Sequence, residues 1–120
     1  MRKELLFAAL LVATSPAVAA DADNGKAIFG RCAICHTVAK GGGNGLGPNL
    51  FGVVGRKAAS LPNFSYSSAL RGAGITWTDA KLTAWIASPA KLVPGTRMVF
   101  GGISNPAQVA DVVAYLGTLK

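Results

Sequence analysis

The feature that most constrains this chain is a run of five residues, Cys32-Ala33-Ile34-Cys35-His36. The 120 residues contain no other cysteine and no other histidine. Two cysteines separated by two residues and followed at once by histidine form the c-type haem attachment motif. Two thioether bonds hold one edge of the porphyrin, and the adjacent histidine then lies beneath the iron. The motif therefore predicts one covalent haem c, attached through Cys32 and Cys35, with His36 as the proximal ligand.

Three other uses of the motif explain the sequence less completely. A thioredoxin-like dithiol requires a βαβ setting, whereas the residues before Cys32 have a helical pattern. A zinc site requires four ligands, or three and a water molecule, and no acidic residue lies near the motif. A structural disulfide leaves the adjacent histidine unexplained. A redox dithiol without haem is the alternative that stays open.

The first twenty residues have the three-part layout of a secretory signal peptide. A basic start precedes an apolar run of nine residues, Leu5 to Ala13, and small residues follow at 17–20. Nine residues rise about 14 Å as a helix, short of the roughly 30 Å hydrocarbon core of a membrane. The sequence predicts cleavage after Ala19 or Ala20, with residues 21–120 released into the periplasm and no stable membrane insertion. An uncleaved interfacial tether is the alternative.

Met98 is the predicted second axial ligand of the iron. It is the only methionine left once residues 1–20 are removed. A lone methionine more often fills a core, but Pro94 and Gly95 require a turn and so place Met98 on a loop. A thioether ligand favours Fe(II) and raises the reduction potential. Ligands on both sides leave no open position for a substrate, which argues against haem enzymology.

Four pieces of sequence together resemble the class I cytochrome c family, which includes mitochondrial cytochrome c and bacterial cytochrome c2. They are the haem motif, Gly47-Pro48-Asn49-Leu50, Trp77, and the Pro-Gly-Thr-x-Met segment that ends at Met98. The resemblance covers essentially all of residues 21–120, which form the predicted cytochrome c domain. It implies an all-α fold with three main helices and a short one around the haem. It also implies a soluble one-electron carrier, not an enzyme.

The helix signals in the sequence agree with this fold. Asp23 is predicted to cap the first helix, Thr78 to cap another that Pro89 ends, and Asn105 to cap the last. A short helix is predicted from Tyr66 to Arg71. Apolar residues spaced i, i+3, i+4 and i+7 give the first and last helices one buried face each.

The resemblance also implies roles for individual residues. The carbonyl of Pro48 would accept a hydrogen bond from His36 and so fix the imidazole tautomer. Phe100 would shield the exposed haem edge. Trp85 stands where mitochondrial members have a tyrosine near the methionine sulfur, a change expected to alter the reduction potential. Buried haem carboxylates need donors or a cation, and the residues implied to lie near them are Arg56, Tyr66, Trp77 and Thr96. A loop proline, core aromatics and an apolar loop anchor are the simpler alternatives for these positions.

The charge of the chain bears on its partners. Twelve Lys and Arg against five Asp and Glu give a formal net charge of +7. The basic residues are scattered singly, unlike a nucleic-acid-binding stripe, so they favour acidic proteins and no nucleic acid. We predict a monomer that exchanges electrons near Arg31, Lys91 and Arg97 with an acidic oxidase, reductase, dehydrogenase or reaction centre. A ligand-binding or peroxidase-like haem protein with a labile Met98 bond, or a dedicated subunit of a larger dehydrogenase or oxidase complex, are the alternatives.

Overall fold

The computed structural model describes residues 19–120, so the basic and apolar parts of the predicted signal peptide lie outside the described residues. The helices are α1 (Ala22–Ile28), extended by a 3-10 turn (Phe29–Arg31), α2 (Ser68–Arg71), α3 (Asp79–Ala87), α4 (Pro89–Leu92) and α5 (Pro106–Gly117). Extended pairing in this part of the chain is limited to one isolated bridge between Lys57 and Thr76. The all-α prediction is confirmed. None of the helices within residues 19–120 has the length and apolar character needed to cross a membrane.

Side-chain caps fix where the long helices begin. The hydroxyl of Thr78 accepts a hydrogen bond from the N–H of Lys81 at 3.2 Å at the start of α3. Asn105 accepts from the N–H of Ala107 at 2.9 Å at the start of α5, and Pro106 follows as the first helical residue. Proline suits that position because its fixed φ is helical and its missing N–H has no partner to lose. Both predicted helix starts are confirmed.

The prediction that Asp23 caps the first helix is wrong by two residues. Asp21 has the extended backbone of an N-cap, and its carboxylate accepts from the N–H groups of Asp23 and Asn24 at 3.0 and 3.1 Å. Its carbonyl also accepts the N–H of Gly25 at 2.9 Å, which closes the first turn. Asp23 lies inside that turn, where a negative charge is favourable beside the unpaired N–H groups.

The middle of the chain contains one helix more than the sequence predicts. Pro89 ends α3 as expected, but the same residue opens α4 because its fixed φ suits a first helical position. The predicted Tyr66–Arg71 helix starts two residues later, since the hydroxyl of Ser67 accepts the N–H of Leu70 at 3.1 Å and sets the start of α2. Within residues 19–120 there are therefore five α-helices.

The crossing of α1 and α5 forms the centre of the fold. Gly25 is buried there, and a Cβ at this position would overlap the backbone carbonyl of Asp111. Only glycine permits the two backbones to approach so closely. Beside this contact the rings of Phe29 and Tyr115 pack with their centroids 5.1 Å apart. The apolar faces of both helices and of α3 then meet in one buried cluster, whose members include Val53, Ile75, Leu82, Ile86, Ile103, Val109, Val112 and Leu116.

The long segment between the 3-10 turn and α2 is fixed by a buried side chain, Asn49. Its amide nitrogen donates to the carbonyls of Ala39 and Gly42 at 2.9 and 3.1 Å. Its amide oxygen accepts the N–H of Phe51 at 2.8 Å. One buried asparagine side chain thus makes three hydrogen bonds to backbone groups on both sides of it in the sequence, and these bonds fix the path of the segment.

Candidate functional site

A cleft of about 440 Å³ lies between the 3-10 turn, the long loop and the segment that precedes α5. Its lining is mainly apolar, with a few polar groups, as is usual for a cofactor site. Every site residue predicted from the sequence lines it: Cys32, Cys35, His36, Pro48, Arg56, Tyr66, Trp77, Thr96 and Met98. The structure thus brings together residues drawn from four separate segments of the chain.

Consecutive tight turns deliver the two cysteines and the histidine to this cleft. The N–H of Cys32 donates to the carbonyl of Phe29 at 2.7 Å, and the N–H of His36 donates to the carbonyl of Cys32 at 2.9 Å. Both cysteines are half-buried free thiols. Burial raises the pKa of the Cys32 thiol, although the positive charge of Arg31 partly opposes this and Cys35 adds to it. Two thiols three positions apart in the sequence therefore line the same cleft.

The imidazole of His36 is held by its neighbours in the neutral form. Its Nδ1 donates a hydrogen bond to the carbonyl of Pro48 at 2.8 Å, which leaves Nε2 as the free nitrogen. Burial lowers the pKa of His36 most, the bond to Pro48 raises it, and the charge of Arg56 lowers it further. The neutral imidazole is the form that binds metals.

Gly47 provides the room in which this ring sits. A Cβ at position 47 would lie 2.5 Å from Cε1 and 2.8 Å from Nδ1 of His36, far inside normal contact distance. The N–H of Gly47 donates to the carbonyl of Cys35 at 2.8 Å and so pins the loop against the motif. The ring is thus clamped between the loop and its own turn, with one nitrogen left for a ligand bond.

Arg56 and Tyr66 supply polar groups to an otherwise apolar cleft. Arg56 is half-buried, and its guanidinium donates to the carbonyl of Asn49 at 3.0 Å. Burial lowers the pKa of Arg56, but a guanidinium remains cationic in proteins. No Asp or Glu is among the residues that line the cleft. The Tyr66 hydroxyl accepts the N–H of Leu61 at 3.3 Å and so keeps its own hydrogen for donation. A cation and a donor here could receive the carboxylates of a haem.

Met98 reaches the cleft from a loop built of tight turns after α4. The N–H of Thr96 donates to the carbonyl of Val93 at 3.1 Å, and Gly95 between them has a φ of 90°, which favours glycine. The hydroxyl of Thr96 accepts the N–H of Met98 at 3.4 Å. The hydroxyl that the resemblance places near a haem carboxylate therefore also supports the backbone of Met98.

Two tryptophans form an aromatic wall of the cleft. The rings of Trp77 and Trp85 meet edge to face, with centroids 5.2 Å apart and planes inclined by 63°. Trp77 is buried and Trp85 is half-buried, and both line the cleft together with Phe100. The indole of Trp85 therefore lines the cleft while it packs against the indole of Trp77.

Three exposed apolar side chains near the haem motif, the loop and Met98 were not predicted from the sequence. Ile34, Leu46 and Val99 are 79, 83 and 102 % exposed. Leu46 and Val99 line the cleft, and Ile34 lies between the two motif cysteines. A sequence signal was present for two of them, since Ile34 neighbours Cys35 and Val99 neighbours Met98. Of the three predicted basic edge residues, Arg31 and Arg97 line the cleft, whereas Lys91 lies on α4 and does not.

The shape and chemistry of the cleft fit a haem. Both thiols, a neutral imidazole and a thioether share one apolar space of the right order of size, and the missing Cβ of Gly47 clears the ring that would bind iron. The model of the cytochrome c family matches residues 22–120. The chain belongs to the cytochrome c family. The two cysteines are its attachment points for haem c, and the haem-free dithiol is thereby set aside.

The sequences of two related cytochromes align with nearly the whole length of this chain. Cytochrome c2 of Rhodomicrobium vannielii is 44% identical over 114 residues, which cover 95% of this chain and 91% of that protein. Cytochrome c2 of Blastochloris viridis is 39% identical over 118 residues, covering 97% and 92%. The solved structure of cytochrome cH from Methylobacterium extorquens is 47% identical, with a TM-score of 0.77 over 82% of this chain and 98% of that one. The predicted class I cytochrome c fold is confirmed, and this cytochrome is a haem c electron-transfer protein, not an enzyme.

Proposed function

We propose that this cytochrome is an exported one-electron carrier whose haem iron is held by His36 and Met98 in both oxidation states. Bound haem supplies the redox chemistry, because its iron accepts and releases one electron. The observation that carries the proposal is that His36 and Met98, from distant segments, line the same cleft as both attachment cysteines. Retention of both ligands keeps structural change on electron transfer small.

His36 and Met98 set the electronic character of the site in opposite ways. The hydrogen bond from His36 to Pro48 makes the imidazole a stronger donor, which stabilises the oxidised iron. The neutral, soft thioether of Met98 favours the reduced iron and raises the potential. If both residues hold the iron, we expect a potential in the high range for haem c and no site for substrate binding.

The haem carboxylates are assigned to the polar groups that line the cleft. Arg56 supplies the cation there, and Tyr66, Trp77 and Thr96 supply donors or hydroxyl groups. The half-buried guanidinium of Arg56 already uses two backbone carbonyls as acceptors, which orients it. Charge-assisted hydrogen bonds from such an oriented guanidinium would offset much of the solvation energy that a carboxylate loses on burial.

The exposed apolar side chains at the mouth of the cleft are proposed as the docking surface for redox partners. Leu46 and Val99 are exposed apolar residues that line the cleft together with Arg31 and Arg97, and Ile34, between the two motif cysteines, is exposed as well. Positive charge around such a surface steers a partner with an acidic surface and makes association depend on salt. We infer an acidic oxidase, reductase, dehydrogenase or reaction centre as that partner, met by a monomer.

Export follows from the predicted signal peptide, residues 1–20, with cleavage after Ala19 or Ala20 and the mature domain, residues 21–120, in the periplasm. Relatives that cover more than nine tenths of this chain carry the name cytochrome c2. Covalent attachment through both cysteines suits an exported protein, because a haem that is bonded to the chain is not lost by dilution.

The decisive experiment replaces the proposed methionine ligand. Holoprotein carrying Met98→Ala should lose the near-infrared band of ferric Met–haem ligation, bind small ligands such as azide, and show a lower reduction potential. Val99→Ala, at the adjacent exposed position, should keep the band and the potential. A Met98→Ala protein with the band intact contradicts His/Met ligation.

Partner steering has a separate test. The second-order rate of electron transfer with an acidic redox partner should fall as ionic strength rises. An unchanged rate from low to high salt contradicts the docking proposal and leaves the ligand assignment standing.

A further inference from the structure

Two of the five asparagines in the chain, Asn24 and Asn44, are followed directly by glycine. Asparagine is a thermally labile residue, and a following glycine makes it more so, because a residue without a Cβ lets the backbone rotate freely. The N–H of the glycine can then approach the side-chain amide of the asparagine. Neither Asn44 nor Gly45 lines the haem cleft, so these two residues are separate from the site described above.

The folded chain holds the side-chain amide of Asn44 at both ends. Its Oδ1 accepts the N–H of Asn49 at 2.8 Å, and its Nδ2 donates to the carbonyl of Asn63 at 3.1 Å. The side chain is half-buried. The N–H of Gly45 is occupied as well, since it donates to the carbonyl of Gly47 at 3.0 Å. Three hydrogen bonds therefore hold the two groups that would have to react with each other.

We propose that Asn44 is the site at which this protein deamidates, and that the three hydrogen bonds delay the reaction in the folded chain. In the reaction, the backbone nitrogen of Gly45 attacks Cγ of Asn44. The new N–Cγ bond replaces the bond from Cγ to Nδ2, and the side-chain nitrogen leaves as ammonia with the proton released from the backbone N–H. Water then opens the five-membered imide at Cγ to give aspartate, or at the backbone carbonyl to give isoaspartate.

The other asparagine–glycine pair, Asn24 and Gly25, is held more firmly. The N–H of Gly25 donates to the carbonyl of Asp21 at 2.9 Å in the first turn of α1. Nδ2 of Asn24 donates to the carboxylate of Asp111 at 2.8 Å. Gly25 is buried where α1 crosses α5, so rotation of this backbone requires the two helices to separate. Asn44 lies in a loop, which opens more readily than the central helix contact, and it therefore reacts first in the folded protein.

The number of hydrogen bonds sets the size of the expected delay. A typical hydrogen bond changes an opening equilibrium about fivefold. A reaction that requires the open form follows the population of that form when opening and closing are fast. With three bonds to break, we expect Asn44 to deamidate on the order of a hundredfold more slowly in the folded holoprotein than in the unfolded chain.

Conversion of Asn44 loosens the loop beside the haem motif. Either product lacks Nδ2 and so loses the hydrogen bond to Asn63, and isoaspartate also lengthens the backbone by one atom. The next residue has little room, because a Cβ at Gly45 would lie 2.6 Å from the carbonyl oxygen of Cys35. The longer backbone therefore displaces the loop that encloses the His36 ring.

The test compares the folded holoprotein with the same protein unfolded in guanidinium chloride, in one buffer and at one temperature. Proteolysis followed by mass spectrometry measures the conversion of each asparagine. In the unfolded chain, Asn24 and Asn44 should convert at similar rates, faster than the three asparagines that precede other residues. In the folded protein, conversion of Asn44 should be about a hundredfold slower and should precede conversion of Asn24.

Two variants separate the effect of the hydrogen bonds from that of the local sequence. Asn49→Ala removes side-chain bonds that hold the loop, and in the folded protein it should speed the conversion of Asn44 at least fivefold and leave Asn24 unchanged. Asp111→Ala removes the acceptor of the Asn24 side chain and should speed the conversion of Asn24 alone. In guanidinium chloride, both variants should convert at the rates of the unaltered protein.

Equal rates for Asn44 in the folded and the unfolded protein would overturn the proposed delay. Earlier conversion of any other asparagine in the folded protein would overturn the assignment of the site. An Nδ1 proton of His36 that exchanges with solvent equally fast before and after conversion would contradict the loosening of the loop. The haem stays bonded to the chain in both states, and the measurement requires no particular iron ligand, so its outcome is independent of the Met98→Ala experiment.

Discussion

Replacement of Gly47 by alanine tests how tightly the loop clamps the proposed iron ligand. The new Cβ would lie 2.5 to 2.9 Å from three atoms of the His36 ring, whereas ordinary contacts begin near 3.4 Å. The proposed iron bond fixes the ring, so the loop has to retreat. Gly47 is tied to the carbonyl of Cys35 and is followed by Pro48, which accepts the His36 hydrogen bond.

The expected cost has two parts. Overpacking of a well-fitted site costs about 1–3 kcal/mol, and loss of the hydrogen bond from His36 to Pro48 costs about 0.5–1.5 kcal/mol. Gly47→Ala should therefore lower the free energy of unfolding of the holoprotein by about 2–4 kcal/mol. Guanidinium chloride unfolding, followed by tryptophan fluorescence, measures this difference. The NMR signal of the His36 Nδ1 proton reports the bond directly and should be lost or strongly shifted.

Gly43→Ala is the matched control, because it lies in the same loop and its Cβ would meet nothing within 4 Å. Both changes reduce the entropy of the unfolded chain in the same way, so the comparison isolates the clash. A Gly47→Ala protein that unfolds within about 0.5 kcal/mol of Gly43→Ala, the range of neutral surface changes, would refute the clamp.

Three further substitutions test the scaffold. Gly25→Ala should lower the unfolding free energy by about 1–3 kcal/mol in denaturant titrations, because its Cβ overlaps the Asp111 carbonyl. The Asp111 carboxylate has a lowered pKa, mainly through the backbone N–H of Asp21 and then the Asn24 side chain. Its stabilising contribution is therefore present above the ordinary carboxyl pKa and is lost as pH falls through the lowered one. Asp111→Asn should flatten the acid dependence of urea midpoints between about pH 5 and pH 2. Asn49→Ala should cost about 2–4 kcal/mol in the same titrations, since it removes three hydrogen bonds worth about 0.5–1.5 kcal/mol each, to the backbone of Ala39, Gly42 and Phe51.

The sequence predicts the chemistry of the site well because that chemistry depends on rare residue types at fixed spacing. Two cysteines and one histidine admit few arrangements, and the positions of Thr78 and Asn105 before apolar faces mark helix starts with a clear mechanism. No local pattern in the sequence indicates that the four segments that form the cleft come together in the folded chain. Their convergence is implied only by the resemblance to a family with known order and spacing.

The errors have physical causes. Asp21 and Asp23 are equally able to cap a helix, and the choice between them is decided by Asp111, which is 90 residues from Asp21 and accepts its N–H at 2.8 Å. Pro89 signals the end of one helix and the start of another with the same fixed φ. Leu46 and Val99 are apolar residue types that are usually buried in a core. They are exposed here because they line the open cleft.

The contact between the first and last helices also dictates when the chain can fold. A core that joins residues 90 positions apart cannot close until nearly the whole chain is present, and contacts of such high sequence separation form slowly. During synthesis or translocation, α1 has no partner to pack against. We therefore expect Cys32 and Cys35 to remain accessible for haem attachment until α5 arrives, because the core cannot close around them before then.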